Sequence, residues 1–166
     1  VRDGVVPANL QAAFVLESPA LSEVIRDINK FSNNVMAQQL FLTLSQQARG
    51  IGSWEASREA MQAWWRDRIG GEVPVFDNGS GLSREERISA LGLARLLQFA
   101  WGSPYMSELM SSLPVSGLDG TLKRSKAQSV AHLKTGSLRD VAGIAGYVDA
   151  ANGKRLILVV VLNHAN

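Results

Sequence analysis

The amino-acid sequence predicts an α/β fold in which helices pack against an antiparallel sheet. The middle of the chain repeats apolar residues at helical spacing, with serine or paired glycines near the expected helix ends. The tail contains short extended runs joined by a hairpin signal. Its longest apolar run, Leu156–Leu162, has seven residues. This length suits a buried strand and is well below the roughly 18 residues that cross a membrane.

The composition predicts one globular domain over residues 1–166. Hydrophobic residues make up 46% and charged residues 19% of the chain, which is enough apolar material for one core. The net charge of +2 is too small to indicate a nucleic-acid partner. The basic cluster Lys123, Arg124 and Lys126 lacks interleaved aromatic residues, so it predicts a solvated loop.

Metals and other cofactors are not predicted. Cysteine is absent, which excludes disulfides, thiolate catalysis and thiolate metal ligands. The two histidines, His132 and His164, lie in different strand-like segments without metal-ligand spacing. A structural role is therefore expected for both.

The first elements are a short strand and two helices. Residues 12–16 are apolar and predict the strand, and Ser18 and Pro19 then suit the N-cap and first position of a helix that ends near Phe31. Ser32 or Asn33 is expected to cap the next helix. The predicted apolar faces consist of Leu21, Val24, Ile25 and Ile28 in the first helix, and Val35, Met36, Leu40 and Leu44 in the second.

Three further helices are expected before the tail. The first covers 54–69 and ends at paired glycines; its Trp64 and Trp65 suit a carbohydrate-binding surface or a core, and the core is preferred. An extended piece at 73–76 and a turn at 77–81 follow. Ser83 and Glu86 form a capping box for a helix that ends near residue 101. Residues 103 and 104 are serine and proline, which predict another helix through residue 110 and then a loop.

The tail predicts an antiparallel meander of three strands over 130–135, 142–149 and 155–162. The dipeptide Asn152-Gly153 between the last two is typical of a two-residue hairpin turn. Helices followed by a meander give the α/β class.

Two short motifs have a spacing that suits catalysis. The motif Lys134-Thr135-Gly136 lies in the first predicted strand and supplies a positive charge and a hydroxyl. Its glycine has no side chain, so a ligand could lie close against the strand. Ser32 and Asn34 flank a predicted helix junction, where both side chains could face a cleft. The alternative interpretations are helix capping for the Ser-x-Asn motif and a polar strand end for the Lys-Thr-Gly motif.

A family resemblance favours the catalytic interpretation. Residues 18–37, 77–84, 113–122 and 134–138 closely resemble, in this order, blocks of the D-alanyl-D-alanine carboxypeptidase/endopeptidase family, the class C low-molecular-mass penicillin-binding proteins. The resemblance implies the penicillin-recognising (β-lactamase/transpeptidase-like) fold, incomplete in this chain. It also implies a periplasmic or cell-envelope location, peptidoglycan stem peptides as substrates, and β-lactams as covalent inhibitors of the full-length protein.

The resemblance also implies residue roles. Ser32 would transfer a proton toward the leaving amine, and Asn34 would hold the substrate amide and the catalytic lysine. Lys134 would support this proton network electrostatically. Thr135 and Ser137 would bind the terminal carboxylate beside Gly136. The Ser137 N–H would supply one oxyanion-hole donor in a serine-type acyl-enzyme mechanism.

One element of the family pattern, Ser-x-x-Lys, is absent, because no serine of the chain is followed by lysine three residues later. The chain is therefore expected to be the C-terminal part of a longer protein, inactive alone, that pairs with a missing N-terminal part or with itself. Two alternatives stay open: a non-catalytic peptidoglycan-binding module, and a related β-lactamase or esterase.

Overall fold

The computed structural model describes residues 3–127 and 130–164 as five α-helices, a 3₁₀ turn and three strands. Helices α1 to α5 are Leu21–Phe31, Asn34–Arg49, Trp54–Arg68, Ala90–Trp101 and Met106–Ser112. The 3₁₀ turn Gly120–Leu122 precedes strands β1 (Ala131–Leu138), β2 (Val141–Asp149) and β3 (Arg155–Asn163). Helices followed by an antiparallel sheet confirm the predicted fold class. Residue 129, which precedes the first predicted strand, lies outside the described residues.

The three strands form one antiparallel sheet in the order β1-β2-β3. The meander is confirmed, but the turn between β2 and β3 is one residue longer than predicted. The Ala150 N–H donates to the Lys154 carbonyl at 2.8 Å, so three residues, 151–153, form the loop. Gly153 has a φ of 78°, the left-handed conformation that a three-residue hairpin requires at this place.

The sheet packs on α4 and α5 through a small apolar core. Tyr147, Leu97 and Leu113 are buried there, each at most 9% exposed. The Tyr147 hydroxyl donates to the Leu97 carbonyl at 2.8 Å, which satisfies its polar end inside the core. The ring of His132 contacts the Met110 carbonyl through Nδ1 at 3.1 Å, in line with a structural role.

Helices α2 and α3 pack through small polar groups and one tryptophan. The Ser57 hydroxyl lies 2.8 Å from both the Phe41 carbonyl and the Ser45 hydroxyl, and both serines are fully buried. Trp65 is 2% exposed, which confirms the core interpretation for this residue, whereas Trp64 is 36% exposed. The face that α2 buries differs from the predicted apolar face, because the buried residues of this helix are Phe41 and Ser45.

The chain start differs from the sequence prediction. Residues 12–16 form no strand, and the three large apolar residues there are 76–87% exposed. A strand needs a hydrogen-bonding partner, and none of the described residues provides one. Helix α1 begins at Leu21 after Ala20, two residues later than Ser18 and Pro19 predicted. Glu23 fixes this boundary by accepting the Ala20 N–H at 3.3 Å.

Two later helix starts were also predicted too early. Arg87 pairs with Val75 through backbone hydrogen bonds of 2.9 and 3.1 Å, so the segment after Ser83 stays extended. Helix α4 begins only after Ser89, whose hydroxyl accepts the Gly92 N–H at 3.0 Å. Helix α5 likewise begins at Met106 rather than directly after Ser103. At α4, the pairing of Arg87 with Val75 and the Ser89 cap thus outweighed the capping signal at Ser83.

Candidate active-site cleft

The structure contains an open cleft of about 670 Å³ between the junction of α1 and α2, the loop 79–82 and strand β1. All six residues that sequence analysis singled out lie along it: Ser32, Asn34, Lys134, Thr135, Gly136 and Ser137. Two segments that are about a hundred residues apart in sequence therefore face one space. A cleft that converging polar side chains line is the usual form of a ligand site.

The sharp turn between α1 and α2 brings two motif residues to the cleft. Ser32 ends α1 in the left-handed conformation, with φ 52° and ψ 50°, which is uncommon for a residue other than glycine. Asn33 then caps α2, because its side-chain oxygen accepts the Met36 N–H at 3.1 Å. The capping role predicted for this position belongs to Asn33. Ser32 and Asn34, on either side of it, line the cleft.

The Lys134 side chain contacts the Ser-x-Asn motif on the other side of the cleft. Its Nζ donates to the Ser32 hydroxyl oxygen at 2.5 Å and to the Thr135 carbonyl at 2.7 Å. Lys134 is partly buried, and this burial lowers the pKa of its ammonium group, because a desolvated charge is disfavoured. The Ser32 hydroxyl thus has a cation at its oxygen and keeps its own proton for another acceptor.

Asn34 is held by the loop 79–82. Its Nδ2 donates to the Ser80 carbonyl at 2.6 Å, so one amide hydrogen faces the protein and cannot serve a ligand in this arrangement. The loop comes close to α2 because Gly79, at φ 69°, has no side chain, and a Cβ there would lie 2.4 Å from the Cβ of Phe41. Glycine is required at this contact.

Strand β1 provides the other wall. Gly136 and Ser137 are exposed, and a Cβ added at Gly136 would meet no atom within 4 Å, so the wall is open to an extended ligand. The Thr135 hydroxyl lies 2.9 Å from the Thr121 hydroxyl. Together this edge offers hydroxyl groups and backbone groups beside the Lys134 cation, which suits a ligand with a carboxylate and a peptide backbone.

Sequence analysis did not assign two residues of the cleft. Ser80 holds Asn34, and Thr121 contacts Thr135. Both lie inside sequence blocks that carried the family resemblance, which was the available signal. Hydrogen-bond partners that are 14 or 46 residues apart cannot be read from local spacing.

The described part of the chain contains no group of three or more His, Cys, Asp or Glu side chains arranged to hold a metal ion. Within the same residues, no helix is both long and apolar enough to cross a bilayer.

The sequence is similar to one known family and to several known proteins. Residues 3–166 match the D-Ala-D-Ala carboxypeptidase 3 (S13) family. The chain is 34% identical over 178 aligned positions to a D-alanyl-D-alanine carboxypeptidase of Actinomadura sp. (strain R39), covering 98% of this chain and 32% of that protein. It is 25% identical to the D-alanyl-D-alanine carboxypeptidase DacB of Haemophilus influenzae, covering 88% of this chain and 32% of that protein. The chain thus spans about a third of the length of these relatives.

The fold of this chain resembles those of several solved structures. Penicillin binding protein 4 (dacB) of Haemophilus influenzae, complexed with a β-lactam, matches with a TM-score of 0.78 and 25% identity over 86% of this chain and 35% of that chain. A predatory endopeptidase of Bdellovibrio bacteriovorus, in complex with an immunity protein, matches with a TM-score of 0.69 and 19% identity over 87% of this chain and 37% of that chain. These likenesses confirm the predicted penicillin-recognising fold.

Proposed function

The chain belongs to the D-Ala-D-Ala carboxypeptidase 3 (S13) family, and from this membership we propose that it forms the substrate-binding part of a serine-type D-Ala-D-Ala carboxypeptidase or endopeptidase. Residues 1–166 are the C-terminal part of the penicillin-binding domain in this proposal. Peptidoglycan stem peptides are the substrate, β-lactams are covalent inhibitors, and the cell envelope or periplasm is the location.

The contact between Lys134 and Ser32 supports this proposal most strongly. It joins the two motifs across 102 residues, and a hydrogen bond from a charged donor is among the stronger hydrogen bonds of proteins. Ser32 transfers a proton toward the leaving amine, and the Lys134 ammonium stabilises the negative charge that develops beside it. Asn34 orients the substrate amide through the side-chain oxygen and the amide hydrogen that are not bonded to Ser80.

Strand β1 binds the end of the substrate. The hydroxyl groups of Thr135 and Ser137 donate to the terminal carboxylate, and the absence of a side chain at Gly136 lets the peptide lie against the strand. The Ser137 N–H is one oxyanion-hole donor. Such a donor contributes through its fixed position, because it meets the charge that forms in the transition state.

The attacking serine and its lysine come from another segment in this proposal, because this chain has no Ser-x-x-Lys. The serine passes its proton to the lysine of its own motif while its oxygen bonds to the carbonyl carbon between the two D-alanines, and the carbon–nitrogen bond then breaks. The released amine takes a proton through Ser32, and water hydrolyses the ester that remains. Acylation by a β-lactam follows the same first step, with the ring amide opened.

Covalent labelling with a fluorescent penicillin tests this division. The complete protein, including its Ser-x-x-Lys segment, should be labelled, whereas the 166-residue chain alone should not. In the complete protein, Ser32→Ala should lower the acylation rate constant by about a hundredfold, a typical loss for proton transfer. Ser111→Ala, on the exposed face of α5, is the matched control and should keep the rate. Labelling of the isolated chain, or equal rates for both serine variants, would contradict the proposal.

A further inference from the structure

The hydroxyl groups of Thr121 and Thr135 meet at the rim of the cleft, 2.9 Å apart. Thr121 comes from the 3₁₀ turn Gly120–Leu122, and Thr135 from the middle of β1. A threonine hydroxyl has one proton and two acceptor sites. If Thr135 donates its proton to a ligand, its oxygen can still accept a proton from Thr121.

We propose that Thr121 is a positioning residue for ligand binding, because its hydroxyl fixes the direction in which the Thr135 hydroxyl donates to the substrate carboxylate. The inference rests on the proposed function. Without Thr121, the Thr135 hydroxyl proton can rotate among several directions, and only some of them face the carboxylate. With Thr121 as donor, two aligned hydroxyl groups also polarise each other toward the anion.

An ion pair between a buried lysine and a half-exposed aspartate holds the turn that bears Thr121. Lys30 is 5% exposed, and its Nζ donates at 2.6 Å both to the Leu113 carbonyl and to the Asp119 carboxylate. The second Asp119 oxygen accepts the Val115 N–H at 2.8 Å. Because Asp119 lies only two residues before Thr121, this network limits where the Thr121 hydroxyl can lie.

The same network also ties the turn to the end of α1. Gly120 has a φ of 53°, and a Cβ there would lie 2.7 Å from the Lys30 carbonyl oxygen, so the turn rests directly on the helix end. Lys30 is two residues from Ser32 along the chain. The position of Thr121 is thus fixed relative to both motifs of the cleft. A loop that contacted only solvent would not hold the hydroxyl in one place.

The test uses the complete protein and measures the second-order rate constant of acylation by a labelled penicillin, which bears a carboxylate. Thr121→Val removes the hydroxyl with little change in volume and should lower this constant about tenfold, as expected for a hydrogen bond that supports a charged group. Thr121→Ser restores the hydroxyl and should stay within about twofold of the unmodified protein. Thr43→Val, the same change on the exposed face of α2, is the matched control and should have no effect.

A double-mutant cycle separates positioning from general packing. If Thr121 acts through the Thr135 hydroxyl, adding Thr121→Val to Thr135→Val should change the rate constant by less than about twofold. The inference would be overturned if the losses of the two single variants multiplied in the double variant. An equal loss of rate in Thr121→Ser and Thr121→Val, or a normal rate in Thr121→Val, would also overturn it. Absence of acylation in the unmodified protein would instead contradict the proposed function, on which the inference rests.

Discussion

At the scale of single residues, the sequence identified the polar side chains of the cleft but not their partners. Residue type and spacing singled out Ser32, Lys134 and Thr135, and the family resemblance favoured a catalytic role over helix capping or a polar strand end. Nothing local indicated that the amide of Asn34 donates to the Ser80 carbonyl. Such partners depend on how distant segments pack, whereas a motif records only which groups are present.

The Lys134 ammonium provides a residue-scale prediction. Because burial lowers its pKa, the ¹³Cε resonance of Lys134 in the folded chain should titrate below the value of about 10.4 that is usual for lysine. In urea-unfolded chain it should return to that value, and Lys134→Arg assigns the resonance by removing it. A folded-state midpoint at or above the unfolded one would contradict the prediction.

The same shift sets the sign of a stability change. Between the lowered pKa and about 10.4, the unfolded chain binds more protons at Lys134 than the folded chain does, so the free energy of unfolding should rise with pH. Lys134→Met should remove this rise, and urea titrations at several pH values would measure it.

At the scale of elements, the sequence predicted which elements exist better than where they begin. The periodic apolar residues of α1 to α4 and the β-branched runs of the tail are strong signals, and these elements formed. The starts of α1, α4 and α5 were predicted too early. At α1 and α5 the residues before the helix, Ala20 and Tyr105, make no side-chain capping hydrogen bond, so these boundaries do not follow the serine signal. The backbone pairing of Arg87 with Val75 decided one of these cases, and it requires contact between segments that lie 12 residues apart.

The ion pair between α1 and the loop after α5 provides an element-scale prediction. Burial of the Asp119 carboxyl would raise its pKa, but hydrogen bonds from Lys30 and from the Val115 N–H, with nearby positive charges, outweigh this and lower it. The Asp119 carboxylate therefore stabilises the fold above about pH 4, and this contribution is lost as pH falls through the lowered pKa.

Asp119→Asn should lower the free energy of unfolding at pH 7 by about 2 kcal/mol, since it leaves Lys30 buried without its counter-charge. The loss is smaller than for a fully buried pair because the Asp119 side chain is 37% exposed and solvent screens it. The difference between variant and unmodified chain should shrink in urea titrations below pH 4. Asp67→Asn, an exposed aspartate of α3, is the control. A constant difference across pH would contradict the assignment.

At the scale of the whole molecule, the sheet has unequal edges. The outer side of β1 is partly covered, because the Leu133 N–H donates to the Pro114 carbonyl at 2.9 Å. In the part of the chain that the structure describes, β3 has no strand on its outer side. Four large apolar residues of β3 are 41–58% exposed: Leu156, Val160, Val161 and Leu162. An uncovered apolar edge strand favours pairing with another chain.

This edge predicts concentration-dependent association of the 166-residue chain. Sedimentation velocity should show a shift to larger species as concentration rises, and Leu162→Lys should reduce the shift, because lysine on an edge strand opposes pairing. Ser111→Lys, which adds the same charge on the exposed face of α5, is the matched control and should leave the shift unchanged. A monomer at all concentrations would contradict the prediction.

In the proposed function, the left-handed backbone at Ser32 sets the stability of the fold against its activity. This conformation costs an L-residue with a side chain about 1 kcal/mol or more, whereas glycine adopts it freely. Selection for a firmer fold alone would thus favour Ser32→Gly at the end of α1. The same replacement would delete the hydroxyl that the Lys134 ammonium contacts. In the proposed function, serine is needed here for its hydroxyl although glycine would suit the backbone better, and stability-guided redesign of this chain should keep it.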